Sequence, residues 1–254
     1  MSVMPENNWF HVEEILANKV STSYTGKFPA YFDASNYSWT ALLPENYEQI
    51  LKEFELFNEQ HHLQPYFYKA QAKNTGKWKT LPLITWNITR KNLKHFPNTK
   101  QILDKIPGLV SASFSMLEAG GEIVKHRGDT DAHIRTHLCL YTATDNTKIA
   151  FNVNNISKNW ETGKCLLFCD AHVHGGYNHS NEDRLVMIID VLHEENIQHK
   201  NKVCSKVLSG LLINYLLVLF GFKKLNAVLR LFFKIFYNVF QLLFRCLMKL
   251  NIKL

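Results

Sequence analysis

The sequence predicts a mainly-β protein: an antiparallel sandwich or barrel with helices before it and an apolar helical tail behind it. Three observations lead there. After Gly108 the segments LVSASFSMLEAGGEIV, IRTHLCLYTA, KIAFNV, KCLLFCDAHV and RLVMIIDVL are short, rich in branched and aromatic residues, and separated by turn formers such as Ala119-Gly120-Gly121 and Glu161-Thr162-Gly163. The gaps between them leave no room for the crossover helices that a parallel α/β sheet requires. From about Lys202 the chain turns strongly apolar and basic at once.

Taken in order, the start MSVMPENNWFHVEEILANK lacks a basic flank followed by an apolar run, so no secretory signal is expected and the cytoplasm is the default. PENYEQILKEFELFNEQ carries Tyr47, Ile50, Leu51, Phe54 and Phe57 at helical spacing and reads as an amphipathic helix. NTKQILDKIPG reads as a shorter helix, with Thr99 as its cap and Pro107-Gly108 as its stop. The five strands follow. In the tail, VLSGLLINYLLVLFGF offers 16 residues, which reach about 24 Å and fall short of a hydrocarbon core of roughly 30 Å. Beyond it, Asn226, Arg230, Lys234, Asn238, Gln241, Arg245, Lys249 and Lys253 recur at steps of three or four and form one narrow polar stripe on an otherwise apolar helix. That pattern suits a helix lying in a bilayer interface, and equally a helical hairpin packed on the body or on a second subunit. The expected organisation is a body over residues 1–200, with its β core at about 108–195, and a tail over residues 201–254 that the body does not need in order to fold.

At 254 residues, with 46% apolar and 20% charged side chains, the chain is expected to form one main folded domain. Its net charge of +7 is unevenly held: the nine Lys and Arg from Lys202 onward face no acid, which leaves residues 1–201 with 20 bases against 22 acids. A nearly neutral body argues against nucleic-acid binding, whereas the basic apolar tail argues for an anionic membrane surface. The five cysteines are odd in number and lie mostly in apolar runs, which points to a reducing compartment. Oligomeric state has no signature here.

The stretch HRGDTDAHIRTHLCLYTATDNTKIAFNV concentrates chemistry. In a strand Arg135 and His137 share one face, joined by His133 if the strand extends that far; His126 lies nine residues before Arg135, across a turn. A second group, His172, His174 and His179, precedes Arg184 on the next apolar strand. Two histidines across a sheet can hold Fe, Zn, Cu or Ni, and a guanidinium fork matches a carboxylate.

From Trp78 to Glu195 the sequence resembles the aspartyl/asparaginyl β-hydroxylase family of iron(II)- and 2-oxoglutarate-dependent oxygenases. The resemblance rests on His126-Arg127-Gly128 with Thr130, Arg135-x-His137-Leu138, Trp160-x-x-Gly163, Asp170 with His174, and Arg184 before the DVLH ending, in the family's order and spacing. It implies a double-stranded β-helix of the jelly-roll or cupin-like kind. It implies His126 and His174 as the iron ligands, and Ser115, Arg135, His137 and Arg184 as the 2-oxoglutarate site, with Arg184 on the distal carboxylate. O2 is the oxidant, and the product is a hydroxylated C–H bond. Where most oxygenases of this broad class carry an acid two residues after the first histidine, the family and this chain have glycine, Gly128, which implies an iron with two protein ligands. Asp170 is either an outer anchor for a ligand histidine or water, or a turn former. Asp131 stands where family members often carry an amide and is expected to put negative charge near the iron mouth. His133, His172 and His179 have no family role and are read as surface or strand-edge residues, while Leu138, Leu140, Phe168 and Val186 are expected to shield the reaction from water. The resemblance implies one of two substrate classes, the β-carbon of Asp or Asn in a peptide or a lipid acyl chain. A non-enzymatic membrane-surface module on an inactive β-helix is the rival from another class, opposed by the intact His126, His174, Arg135 and Arg184; zinc hydrolysis would need a general base beside the metal, and none is evident.

Overall fold

The computed structural model describes residues 9–61, 63–66, 73, 76–222 and 224–250. Its elements are α1 (His11–Ala17), β1 (Tyr31–Phe32), α2 (Tyr47–Gln60), β2 (Gln64–Pro65), β3 (Trp78–Thr85), β4 (Ile88–Thr89), α3 (Pro97–Leu103), β5 (Leu109–Leu117), β6 (Gly121–His126), β7 (His133–Tyr141), β8 (Ile149–Val153), β9 (Ile156–Lys158), β10 (Cys165–Phe168), β11 (His174–Asn178), β12 (Arg184–Leu192), α4 (Glu194–Ile197), α5 (Lys200–Leu219) and α6 (Ala227–Lys249). The strands form two antiparallel sheets. One runs β1-β10-β7-β12-β5-β3-β2 with β4 beside β3, and the other runs β6-β11-β8-β9. From β5 to β12 the chain crosses between sheets at each step except the β8–β9 hairpin, whose turn residues Asn154 and Asn155 take φ of 49° and 64°. This is a double-stranded β-helix core, with helices at either end of the chain.

Side chains of a strand alternate between faces, and the large sheet uses both. Phe114, Met116, Ile134, Leu138, Leu140, Leu167, Leu185, Met187 and Ile189 pack with Ile50, Phe54, Ile102 and Leu103 of α2 and α3 into the main core. The neighbours one residue away, among them Cys139, Phe168 and Val186, pack inward on Ile149, Phe151 and Val153 of the small sheet and on Trp160. Of the four residues expected to shield the site, Phe168 and Val186 therefore face the barrel interior, whereas Leu138 and Leu140 face the helices. That is a correction imposed by strand parity.

Thr99 does not cap α3. It sits inside the helix, and the buried Glu53 of α2 accepts from the backbone N–H groups of Asn98 and Thr99, both at 2.8 Å, and from the Thr99 hydroxyl at 2.7 Å. A carboxylate thus satisfies the orphan donors of a helix start from another element.

The tail is joined to the body more closely than its composition suggests. Val203, Cys204, Val207 and Leu208 of α5 are buried with Phe10, Val12, Leu16, Trp86, Val110 and Leu192 in a second core. Gly210 meets α1 so closely that a Cβ there would lie 3.0 Å from Val12. The expectation that the body folds without residues 201–254 is thereby corrected: a cut near residue 200 removes one wall of that core. α6 packs on α5 through Phe233 and Tyr237, and Arg245 donates from Nε to the Ser205 hydroxyl at 3.1 Å. The polar stripe, with Arg230, Lys234, Asn238, Gln241, Arg245 and Lys249, runs along the edge of this seam. Lys223 and Lys253 lie outside the described residues. Beyond the stripe Leu231, Phe232, Ile235, Val239, Leu242 and Leu243 are exposed on α6. Both α5 and α6, with 20 and 23 residues, are long and apolar enough to cross a membrane, but half of the α5 window is buried inside the protein against 17% for α6.

A chain ending at Lys200 is expected to be insoluble or to unfold at markedly lower urea, because it exposes Phe10, Val12, Trp86, Val110 and Leu192. A chain ending after Phe222 should keep cooperative unfolding. Urea unfolding followed by tryptophan fluorescence distinguishes the two, and equal stability of both truncations with full-length protein would contradict the shared core.

Candidate active site

His126 ends β6 and His174 begins β11, and the two are paired directly across the small sheet. The register shifts between His174 and Gly176, and a Cβ on Gly175 would lie 2.8 Å from the Ile123 carbonyl, so the irregularity that places the pair needs glycine. The two imidazoles lie 4.3 Å apart between centroids. His126 Nδ1 bonds the Val124 carbonyl at 2.7 Å and His174 Nδ1 bonds the His172 carbonyl at 2.9 Å. Those carbonyls fix each proton on Nδ1 and leave both Nε2 lone pairs free. Burial lowers both pKa values, that of His174 to about 3, so both rings are neutral at physiological pH. Among the described residues no group of three or more His, Cys, Asp or Glu is placed to hold a metal.

Arg184, the first residue of β12, is fully buried and forms no ion pair among the described residues. It donates from Nη1 to the Ser115 carbonyl at 3.3 Å and lies 4.5 Å over the Trp160 ring, while its Nε and Nη2 have no partner. Burial lowers its pKa to about 10, which still leaves it charged. A buried cation with two idle donors is costly unless an anion joins it. Beside it, the Ser115 hydroxyl accepts from Trp78 Nε1 at 2.9 Å and keeps its own proton to donate. His137 Nδ1 accepts from Trp160 Nε1 at 3.2 Å, so its proton sits on Nε2; burial, with Arg184 nearby, holds its pKa well below the usual value. The contacts close into a ring: Trp78 lies 6.4 Å from His126, and Phe168 lies 4.9 Å from His137 and 5.5 Å from His174.

Asp170 and Arg135 form a second, ionic layer. Arg135 donates from Nε and Nη2 to Asp190 at 2.7 and 2.9 Å, and its Nη1 lies 2.9 Å from Asp170 Oδ2. Burial alone would raise the Asp170 carboxyl, but Arg135 and His133 hold it well below the usual carboxylate range. A Cβ at residue 128 would come within 2.2 Å of Asp170 Oδ2. The space next to the histidine pair into which an acid at position 128 would project is therefore occupied by Asp170. Its Oδ1 is buried without a hydrogen-bond partner, which fits an outer anchor and not merely a turn former.

Sequence reasoning missed Asp190. Its signal was a lone acid inside the apolar run RLVMIIDVL, in direct register with Arg135. Two of the three histidines assigned to the surface are corrected. His133 is fully buried between Asp170 and Asp190, and His172 bonds the Phe28 carbonyl at 3.0 Å beneath Tyr24; His179 is exposed and pairs with Glu122 at 2.9 Å. Asp131 does not bring free charge to the mouth. It accepts from the Tyr24 hydroxyl at 2.6 Å and from the Trp9 backbone at 2.7 Å, and so binds the N-terminal segment to the loop after His126.

A sequence model described as aspartyl/asparaginyl beta-hydroxylase matches residues 44–194, more than half of the chain. The chain belongs to the aspartyl/asparaginyl β-hydroxylase family. Among relatives of this family, the ornithine lipid ester-linked acyl 2-hydroxylase of Rhizobium tropici is 33% identical over 168 residues, covering 64% of this chain and 60% of that protein. The human aspartyl/asparaginyl beta-hydroxylase is 30% identical over 131 residues, covering 48% of this chain and 17% of that one. The chain thus matches only part of each β-hydroxylase relative. A solved oxidoreductase of the 2OG-Fe(II) oxygenase family from Burkholderia pseudomallei aligns with a TM-score of 0.43 at 10% identity, over 65% of this chain and 96% of that one.

Gly128→Ala is expected to displace Asp170 and to destabilise the protein by about 1–3 kcal/mol, the usual scale of overpacking. Thermal unfolding of the variant checks this; an unchanged midpoint would mean that Asp170 has room to move.

Proposed function

We propose that the chain is an iron(II)- and 2-oxoglutarate-dependent dioxygenase that hydroxylates a lipid acyl chain at an anionic membrane surface. The observation that carries the cosubstrate is Arg184, a fully buried guanidinium that forms no ion pair among the described residues and leaves Nε and Nη2 without a partner. Both donor sets fit: paired imidazole Nε2 atoms suit iron(II), and the Arg184 fork with the Ser115 hydroxyl suits a carboxylate. When bound, iron with O2 supplies the oxidation that converts 2-oxoglutarate to succinate and hydroxylates the substrate C–H bond. His126 and His174 would hold it. Arg184, Ser115 and the Nε2–H of His137 would bind and orient the distal carboxylate, and Arg135 would add its unengaged N–H groups. Phe151, Phe168, Trp160 and Val186 exclude water from the inner wall.

Membrane association is supported by the exposed apolar face of α6, by the row of bases at its edge, and by the lipid acyl substrate named for the Rhizobium relative. The tail would lie on the bilayer with the body on the cytoplasmic side, a setting that suits cysteines that are all free. The β-carbon of Asp or Asn in a peptide is the second reading, favoured by the likeness to the human relative.

Two experiments test this. Anaerobic iron(II) and 2-oxoglutarate added to the protein should produce the weak visible band of the chelate. His126→Ala and His174→Ala should each lose it, and Arg184→Lys should weaken 2-oxoglutarate binding by about 1–3 kcal/mol; a band that persists in both alanine variants would sink the assignment. In vesicle flotation the full chain should rise with anionic liposomes, more weakly at high salt but not detached by it, because salt does not screen the apolar contribution. A chain that stays soluble as a defined dimer and ignores liposomes would remove the support for a lipid substrate.

A further inference from the structure

His133 is the most enclosed titratable group that the proposed chemistry leaves unused. It has no solvent exposure, and its Nε2 lies 3.5 Å from both Asp170 Oδ1 and Asp190 Oδ1. Trp86 closes the remaining side edge-on at 5.2 Å, from a turn in which this bulky residue takes φ of 45°. Such a backbone is strained for a bulky residue and persists only where surrounding packing enforces it.

The cluster's charge decides what His133 does. Asp170 and Asp190 are two buried carboxylates, and Arg135 is one cation bonded to both. With a neutral His133 these four groups carry an excess negative charge around Arg135, one of the residues proposed to meet a dicarboxylate; with a protonated His133 they balance. We propose that His133, as an imidazolium, is a positioning residue for cosubstrate capture: it supplies the second cation of the Asp170–Arg135–Asp190 cluster and so leaves the spare N–H groups of Arg135 available to an incoming carboxylate. This rests on the hydroxylase reading above. Burial opposes the His133 charge, but Asp170 and Asp190 outweigh it and the pKa is raised. The other titratable groups facing the cluster are Asp129, whose pKa burial and Asp170 raise to about 7, Asp131, which burial raises, His126, His137 and His174, which burial lowers, and His193, which burial lowers to about 4.

The sign follows. Capture is strong while His133 is protonated and weakens as pH rises through its pKa. The test is a tryptophan-fluorescence titration with 2-oxoglutarate in the presence of Mn(II), from about pH 6 to pH 9, with Trp160 against Arg184 as reporter. Wild type should bind more weakly as pH rises. His133→Gln should bind roughly tenfold more weakly at the acid end, the scale of one charged contact, and lose most of the pH dependence. His133→Arg, which keeps the charge at every pH, should bind tightly throughout, and the comparison is made in the Asp129→Asn background, where Asp129 cannot contribute to the slope. A His133→Gln profile that superimposes on wild type overturns the inference and leaves the hydroxylase reading intact; should that variant fail to fold, a His133→Arg profile as steep as wild type does the same. If wild type binds no 2-oxoglutarate at any pH and Arg184→Gln changes nothing, the hydroxylase reading falls and the inference with it.

Discussion

Strand parity in the large sheet is the constraint on which the rest depends. On β5, β7 and β12, Phe114, Leu138 and Leu185 belong to a core closed by α2 and α3, while Ser115, His137 and Arg184 next to them stand in the barrel. A one-residue slip of β7 or β12 would drive an imidazole or a guanidinium into the helical core and turn a leucine inward, and a slip of β5 would exchange the Ser115 hydroxyl for the Phe114 ring. Packing on the outer face therefore fixes the geometry of the inner one, and the site is only as precise as the fit of Phe54, Ile102 and Leu103 behind it.

The same parity explains what was legible beforehand. Arg135 and His137 fall on one face because they are two residues apart, and the apolar runs mark their strands without ambiguity. β3 escaped notice because Pro82 interrupts it, and proline within a run argues against a strand; here β3 nonetheless pairs with β5 through the residues on either side. The residues proposed for iron and cosubstrate came from motif resemblance, since spacing alone cannot tell that β6 and β11 are neighbours. Asp190, and the buried pairing of His133 and Asp131, escaped for a related reason. Each is a polar residue whose partner lies far away in sequence, and nothing local distinguishes a buried, paired charge from a solvated one.

Electrostatics in the barrel are divided between two kinds of cation. Arg135 is bonded to two aspartates, whereas Arg184 has no acidic partner among the described residues. The first is inexpensive to keep buried; the second carries an uncompensated desolvation cost. Gly128 belongs to this division, because only a residue without a side chain lets Asp170 stand beside the histidine pair.

The N-terminal strap has a consequence for biosynthesis. Residues early in this sequence bond to residues far along it: Trp9 and Tyr24 need Asp131, and the Asn18 side chain donates to the Leu225 carbonyl at 2.9 Å. α1 cannot dock until α5 has been synthesised, and until then Phe10, Val12 and the inner face of α5 are uncovered together. Contacts of such high sequence separation slow folding and prolong the exposure of apolar surface. α6 adds to that surface, since Leu231, Phe232, Ile235 and Leu242 stay exposed on it even once the core has closed.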